Sequence, residues 1–191
     1  MIIMLLGLII FFAVHSVSIV NETWRDRMVA ELGEWPWKGM YALLSIAGFA
    51  LMVWGYGLAR ETPVIIYSPP QWLRHAAMLL LLPVFPLLLA AYLPGRIKII
   101  TQHPMLVATK LWAFAHLLAN GMLADVLLFG SFLAWAVVDR VSMKHRRQRI
   151  IPSAPLSKAN DIIAVVGGVV LYVAFVFWLH ASLIGAALIR L

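Results

Sequence analysis

The side chains of this chain best suited to chemistry are its six histidines, because it has no cysteine. That absence excludes disulfides, thiolate-ligated or covalently attached haem, cysteine-held iron–sulfur clusters and a cysteine nucleophile. Any metal must rest on imidazole, carboxylate or backbone. The most informative stretch, HPMLVATKLWAFAHLLANG from His103 to Gly121, sets His116 in a segment otherwise suited to lipid. An ionisable ring is expensive to hold inside a bilayer, so His116 is a candidate for a ligand, a relay or a substrate contact. His15 and His180 also fall inside apolar stretches, whereas His75 and His145 lie near a span end or in a basic loop, where solvated roles suffice.

Spacing limits how these rings can cooperate. On one straight helix His103 and His116 would stand ~20 Å apart along the axis and about 140° apart around it, so they cannot share one iron. A pair drawn from His15, His116 and His180 could hold a haem between helices, since a b-type haem needs only one or two imidazole nitrogens and an apolar slot. Measured from the cytoplasmic ends of their helices, the three lie at depths of ~8, ~18 and ~28 Å. Depth alone therefore leaves the pair open between His15 with His116 and His180 with His116. Trp112 and Asn120 share the face of His116 at i−4 and i+4. Lys110, six residues past Pro104, reads either as a snorkelling side chain or as a counter-ion for an acidic group such as a cofactor propionate. Asp125 falls in the first turns of a following helix, where a carboxylate complements the helix dipole. Each histidine also has a plainer reading, a ring hydrogen-bonded to a hydroxyl or a backbone carbonyl.

The elements that must position these residues are membrane helices. Hydrophobic residues make up 63% of the sequence and charged ones only 12%, with a mean hydropathy of +0.93. Spans are expected at residues 2–20, 39–59, 72–93, 105–119, 122–138 and 162–188, given the ~17 to 25 apolar residues a crossing helix needs. The fold class is thus an all-α, polytopic transmembrane helical bundle of about six spans in a single domain, 1–191, with spans four and five forming a short helical hairpin. Pro104 suits the first turn of the fourth span, which puts His103 at its cap, and Ala119-Asn120-Gly121 signals the turn that ends it. The first span reads as an anchor and not a signal peptide, having no cation ahead of it and no small-residue cleavage site.

Eleven cations lie on one side: Arg25, Arg27, Lys38, Arg96, Lys98, Arg140, Lys144, Arg146, Arg147, Arg149 and Lys158. Arg60, Arg74 and Arg190 lie on the other. The positive-inside rule then sets both termini outside and the odd-numbered loops in the cytoplasm. The net charge of +7 is a topology signal, and a nucleic-acid role is excluded for want of a soluble domain. The run from Arg140 to Arg149 also suits anionic headgroups. Residues 21–37, rich in tryptophan, suit an interfacial segment whose short helix ends near Gly33. Pro83 and Pro86 should bend the third span and free carbonyls that neighbours must satisfy. Ala164 and Gly168 suit a close helix crossing.

The run HPMLVATKLWAFAHLLANGMLADVLLFGSFLAWAVVD, with FFAVHS in the first span and a closing WLHASLIG, resembles the NnrU family of bacterial membrane proteins over nearly the whole chain. That family is associated with denitrification and nitric oxide metabolism and shares a domain with the plastid 15-cis-zeta-carotene isomerase, a membrane enzyme that uses b-type haem. The resemblance implies an inner-membrane haem b protein with His15 and His116 as axial ligands and His103 as an alternative ligand or access residue. Lys110 would lie near the propionates, and partners would be nitrite or nitric oxide reductase components besides the lipid bilayer. His103-Pro104 opening a short hairpin also resembles membrane methyltransferases of isoprenylcysteine and phospholipids, but the acidic pair those enzymes carry after the hairpin is missing between Arg140 and Lys158. The alternatives are a non-catalytic assembly or maturation factor for a respiratory reductase, and a small membrane isomerase or methyltransferase.

Overall fold

A computed structural model describes residues 1–147, 149 and 152–185. Among them the regular elements are helices, besides one isolated antiparallel bridge between Ile65 and Met122. Four stretches are long and apolar enough to cross a membrane: Ile2–Val20, Glu34–Glu61, Gln71–Tyr92 and Asn160–Ile184. They make this an integral membrane protein with outward faces of leucine, isoleucine, valine and tryptophan suited to lipid. The end of the expected sixth span, residues 186–188, and Arg190 lie outside the described residues.

The chain packs as two compact units, each assembled from segments distant in sequence. The first takes the described residues of Met1–Ser68 and Asn120–Gln148. It contains α1 (Ile2–Val20), α2 (Glu22–Leu32) and α3 (Glu34–Glu61). Asn21 caps α2 by accepting from the Trp24 N–H at 2.8 Å, and Gly33, at φ 88, ends α2 and opens α3 in a conformation that a side chain resists. The second expected span therefore begins earlier than residue 39. Pro36 raises no objection, because first-turn N–H groups have no helical acceptor.

Helices α1 and α3 meet backbone to backbone. A Cβ at Gly7 would overlap the main chain of Met52, one at Gly48 that of Phe11, and one at Gly55 that of Met4. In lipid no hydrophobic force drives helices together, so such close approach, which multiplies dispersion contacts, is what holds the pair. Met4 and Met52 are buried in this seam.

In the same unit the last helix, Leu123–Ser142, starts from the bridge. The Gly121 carbonyl accepts from the N–H groups of Ile66 and Tyr67, and Leu123 N–H donates to the Val64 carbonyl. Asp125, 1% exposed, accepts from the Met122 N–H at 3.0 Å and from the Tyr56 hydroxyl at 2.6 Å. Its carboxylate thus caps the helix start, as expected, and also ties it to α3.

The second unit takes Pro69–Ala119 and the described residues of Arg149–Leu191. Helices α4 (Gln71–Leu81) and α5 (Val84–Tyr92) are one span broken at Pro83. Pro83 has no N–H, and Leu82 N–H turns back to the Leu79 carbonyl, which leaves the Met78 carbonyl without its usual helical donor. The Tyr172 hydroxyl supplies one at 2.8 Å. Short α6 (Arg96–Thr101) follows, then α7 (Pro104–Ala119), which Pro104 opens as expected while the His103 carbonyl accepts the first helical bond from Val107. In chain order α8 (Leu123–Ser142) belongs to the first unit and α9 (Asn160–Ala174) to the second. Gly168 of α9 lies so close to Pro86 of α5 that a Cβ would overlap the proline nitrogen, the close crossing expected there. Asn160 donates to the carbonyls of Pro94 and Pro155, and Asp161 accepts from the N–H groups of Arg96 and Ile97, so two adjacent side chains tie α9 to the start of α6. A π-helical turn, Phe175–Leu179, leads into α10 (His180–Ile184).

The fourth and fifth expected spans are therefore helices, α7 and α8, that differ from the other four. Helix α7 has 16 residues, or ~24 Å at the helical rise. Helix α8 has 20, but Asp125, Asp139 and Arg140 fall within any 18-residue window of it.

Candidate functional site

In the first unit the candidate site is built around His15. One turn earlier on α1, Phe11 stacks on the imidazole with ring centroids 3.9 Å apart and planes inclined by 21°. Tyr41 of α3 adds a wall at 5.2 Å, and Trp135 of α8 meets the ring edge-on at 5.9 Å and 86°. Phe12 and Phe132 close the surroundings, packed on each other at 4.9 Å. Sequence periodicity accounts for this convergence. Phe11 and His15 are four residues apart on α1, and Phe132, Trp135 and Asp139 recur at three and four on α8, so each set shares one helix face.

Nδ1 of His15 lies 2.8 Å from the Phe11 carbonyl. A carbonyl only accepts, so Nδ1 carries the proton and Nε2 of the neutral ring carries the lone pair. This is the arrangement in which metal-bound histidines are usually held, the second nitrogen fixed by a backbone acceptor. It is also how an intramembrane histidine satisfies its ring without any ligand, and among the described residues no hydrogen bond to Nε2 is formed. Beside it the indole Nε1 of Trp135 is buried and has no hydrogen-bond partner among the described residues. One turn on, Asp139 is 6% exposed and paired with Arg146.

The second unit holds the other expected residues. His116 repeats the His15 motif: Nδ1 lies 2.8 Å from the Trp112 carbonyl, four residues earlier, and the Trp112 ring lies against the imidazole at 5.2 Å. His103 stands at the N-terminal cap of α7, partly exposed. Lys110 is half-buried on the same helix and makes no ion pair among the described residues, which suits a snorkelling side chain. His180 begins α10 directly after the π-helical turn, with the Phe175 ring edge-on at 5.9 Å. His75 and His145 are exposed, as expected of solvated rings.

The structure thus places His15 in one unit and His103, Lys110, His116 and His180 in the other. Among the described residues no three histidine or acidic side chains gather as a metal cluster; a b-type haem needs only one or two imidazoles. The residues around His15 fit that group: an imidazole with its lone pair presented, flat aromatic walls and a buried donor awaiting an acceptor. Sequence reasoning missed Phe11, Tyr41, Phe132 and Trp135. The signal for two of them was present, an aromatic one turn before the histidine and Trp135 one turn before the buried Asp139.

No curated protein and no solved structure matches the chain. A family model described as NnrU protein matches residues 3–188, nearly its full length. The chain belongs to the NnrU family.

Proposed function

We propose that this protein binds b-type haem in the bacterial inner membrane and serves nitric oxide metabolism or denitrification. The family supports the setting, and the observation that carries the cofactor is the His15 site: Nδ1 held by the Phe11 carbonyl, the lone pair left on Nε2, and rings of Phe11, Tyr41 and Trp135 around it. His15 supplies one axial ligand. The second ligand that the resemblance implies is His116, whose own Nδ1 is fixed by Trp112, with His103 the alternative on α7. Bound haem supplies diatomic gas binding or one-electron transfer. The protein's own part is to fix the imidazole tautomer, to keep water away with aromatic walls and to set the iron's electronics through the carbonyl behind each ring.

In this reading α7 and α8 cross as a short hairpin, which completes six spans and sets both termini outside, with the basic segment after α8 in the cytoplasm. Partners would be components of nitrite or nitric oxide reductases.

The test is an optical spectrum of the detergent-purified full chain, oxidised and dithionite-reduced, after expression with ample haem. The expected result is a Soret band with sharp reduced α and β bands, altered in His15→Ala and in His116→Ala. A colourless, well-folded protein would sink the haem reading and leave a non-catalytic assembly factor for a reductase in its place.

A further inference from the structure

Two buried hydrogen-bond donors in the first unit have no acceptor among the described residues, Nε1 of Trp135 and Nε of Arg146. An unmatched buried donor is costly, and native proteins leave few of them unexplained. Both belong to one stretch of chain. Trp135 meets the His15 ring edge-on. Asp139 lies one turn further along α8, within electrostatic reach of His15 and Tyr41. Arg146, on the turn that follows the helix, pairs with Asp139 through its terminal nitrogen and leaves Nε unused. The Arg146 side chain is 16% exposed, so little water reaches it to repair the deficit.

The chemistry of these unmatched groups is specific. An indole N–H and a guanidinium N–H both donate and neither accepts, so the missing partner is an acceptor, and the guanidinium favours a negative one. Asp139 is already engaged by Arg146 and, in the Trp135 direction, takes no bond from the indole. The ligand that would seat on His15 would thus carry its anionic group towards the end of α8. Haem has this construction, an apolar plate with two carboxylates on one edge.

We propose that the propionate carboxylates of a haem bound at His15 are received by Trp135 Nε1 and Arg146 Nε, and not by Lys110. The inference rests on the haem reading above and deepens it by assigning the acidic edge of the cofactor to the first unit. Trp135 and Arg146 are binding residues here, with no part in holding the iron.

The experiment titrates the full-length apoprotein, in one detergent, with haem b and with its dimethyl ester, whose carboxylates are masked, and reads occupancy from the Soret band. Comparing variants in the same detergent cancels the different micelle partitioning of the two probes. One charge-assisted hydrogen bond corresponds to a factor of about ten to a hundred in affinity. With one such bond from each residue, wild type should favour haem b over the ester by more than that factor, and Trp135→Phe should lose about one factor of ten to a hundred of the preference while still binding the ester. Arg146→Lys keeps a cation beside Asp139 and so protects folding, but removes Nε, and should lose a similar share of the preference. Lys110→Ala should keep it. Equal affinities for the two probes in wild type, or a preference abolished only by Lys110→Ala, would overturn the proposal while leaving His15 as a haem ligand. A wild-type protein that takes up neither probe, or a His15→Ala variant with an unchanged spectrum, would instead bring down the haem reading itself and this inference with it.

Discussion

The Tyr172 hydroxyl donates to the Met78 carbonyl across 2.8 Å, joining α9 to the bend in the span before it. The bend exists because Pro83 cannot donate, and the tyrosine satisfies the carbonyl that the bend releases. Tyr172→Phe keeps the ring and removes only this bond. It should lower unfolding stability in detergent by about 1–3 kcal/mol, the cost of a stranded buried carbonyl. Chemical denaturation followed by helical circular dichroism measures it. An unchanged midpoint would show that another donor, or a straightened bend, takes over.

Asp125 is the most deeply buried acidic group of the described residues, and its partners identify it as a clamp. One oxygen caps α8 at Met122 and the other takes the Tyr56 hydroxyl. Asp125→Ala should cost about 2–4 kcal/mol, because it strands two donors at once, and Tyr56→Phe about 1 kcal/mol. The double variant should cost less than the two combined, since both remove one shared bond. The spectrum of the proposed haem should survive all three changes wherever the protein folds. A change of spectrum with stability intact would instead give Asp125 a role at the cofactor.

The α1–α3 seam separates glycines that packing requires from one that it does not. Gly55→Ala drives a methyl into the Met4 main chain and should destabilise by about 1–3 kcal/mol, as overpacking does. Gly57, two residues on, faces open space, so Gly57→Ala should be neutral or slightly stabilising through helix propensity. Thermal unfolding of the two variants side by side checks the contrast. Equal behaviour would mean that the helices do not touch at Gly55.

Much of this arrangement was legible in the sequence. Apolar length located the helices, Pro104 and Gly33 marked helix boundaries, and Ala164 with Gly168 marked a crossing. These are local signals, each readable within one or two turns. What stayed hidden depends on segments distant along the chain. Glu34 to Lys38 read as loop because its charges and tryptophans suit an interface, yet Gly33 lets α3 start there. The break at Pro83 was expected, but its repair by Tyr172, 94 residues away, was not. The histidines could be singled out by type and setting. The aromatic walls of His15 could not, because Tyr41 and Trp135 reach it from two other helices.

The interleaving of the two units also governs biogenesis. Helices α1 and α3 leave the ribosome long before α8, yet all three form one unit, and α4, α5 and α7 must likewise wait for α9. Neither unit can be completed in order of synthesis, so early helices remain in the bilayer with their packing faces uncovered until late ones arrive. Helix α8, with two acids and an arginine among its 20 residues, is ill suited to enter lipid by itself. It finds at the membrane a ready receptor: Tyr56 for its first carboxylate and the α1 aromatics for its Trp135. A nascent chain arrested before residue 120 would thus display an unfilled cleft, the form most open to chaperones and membrane proteases.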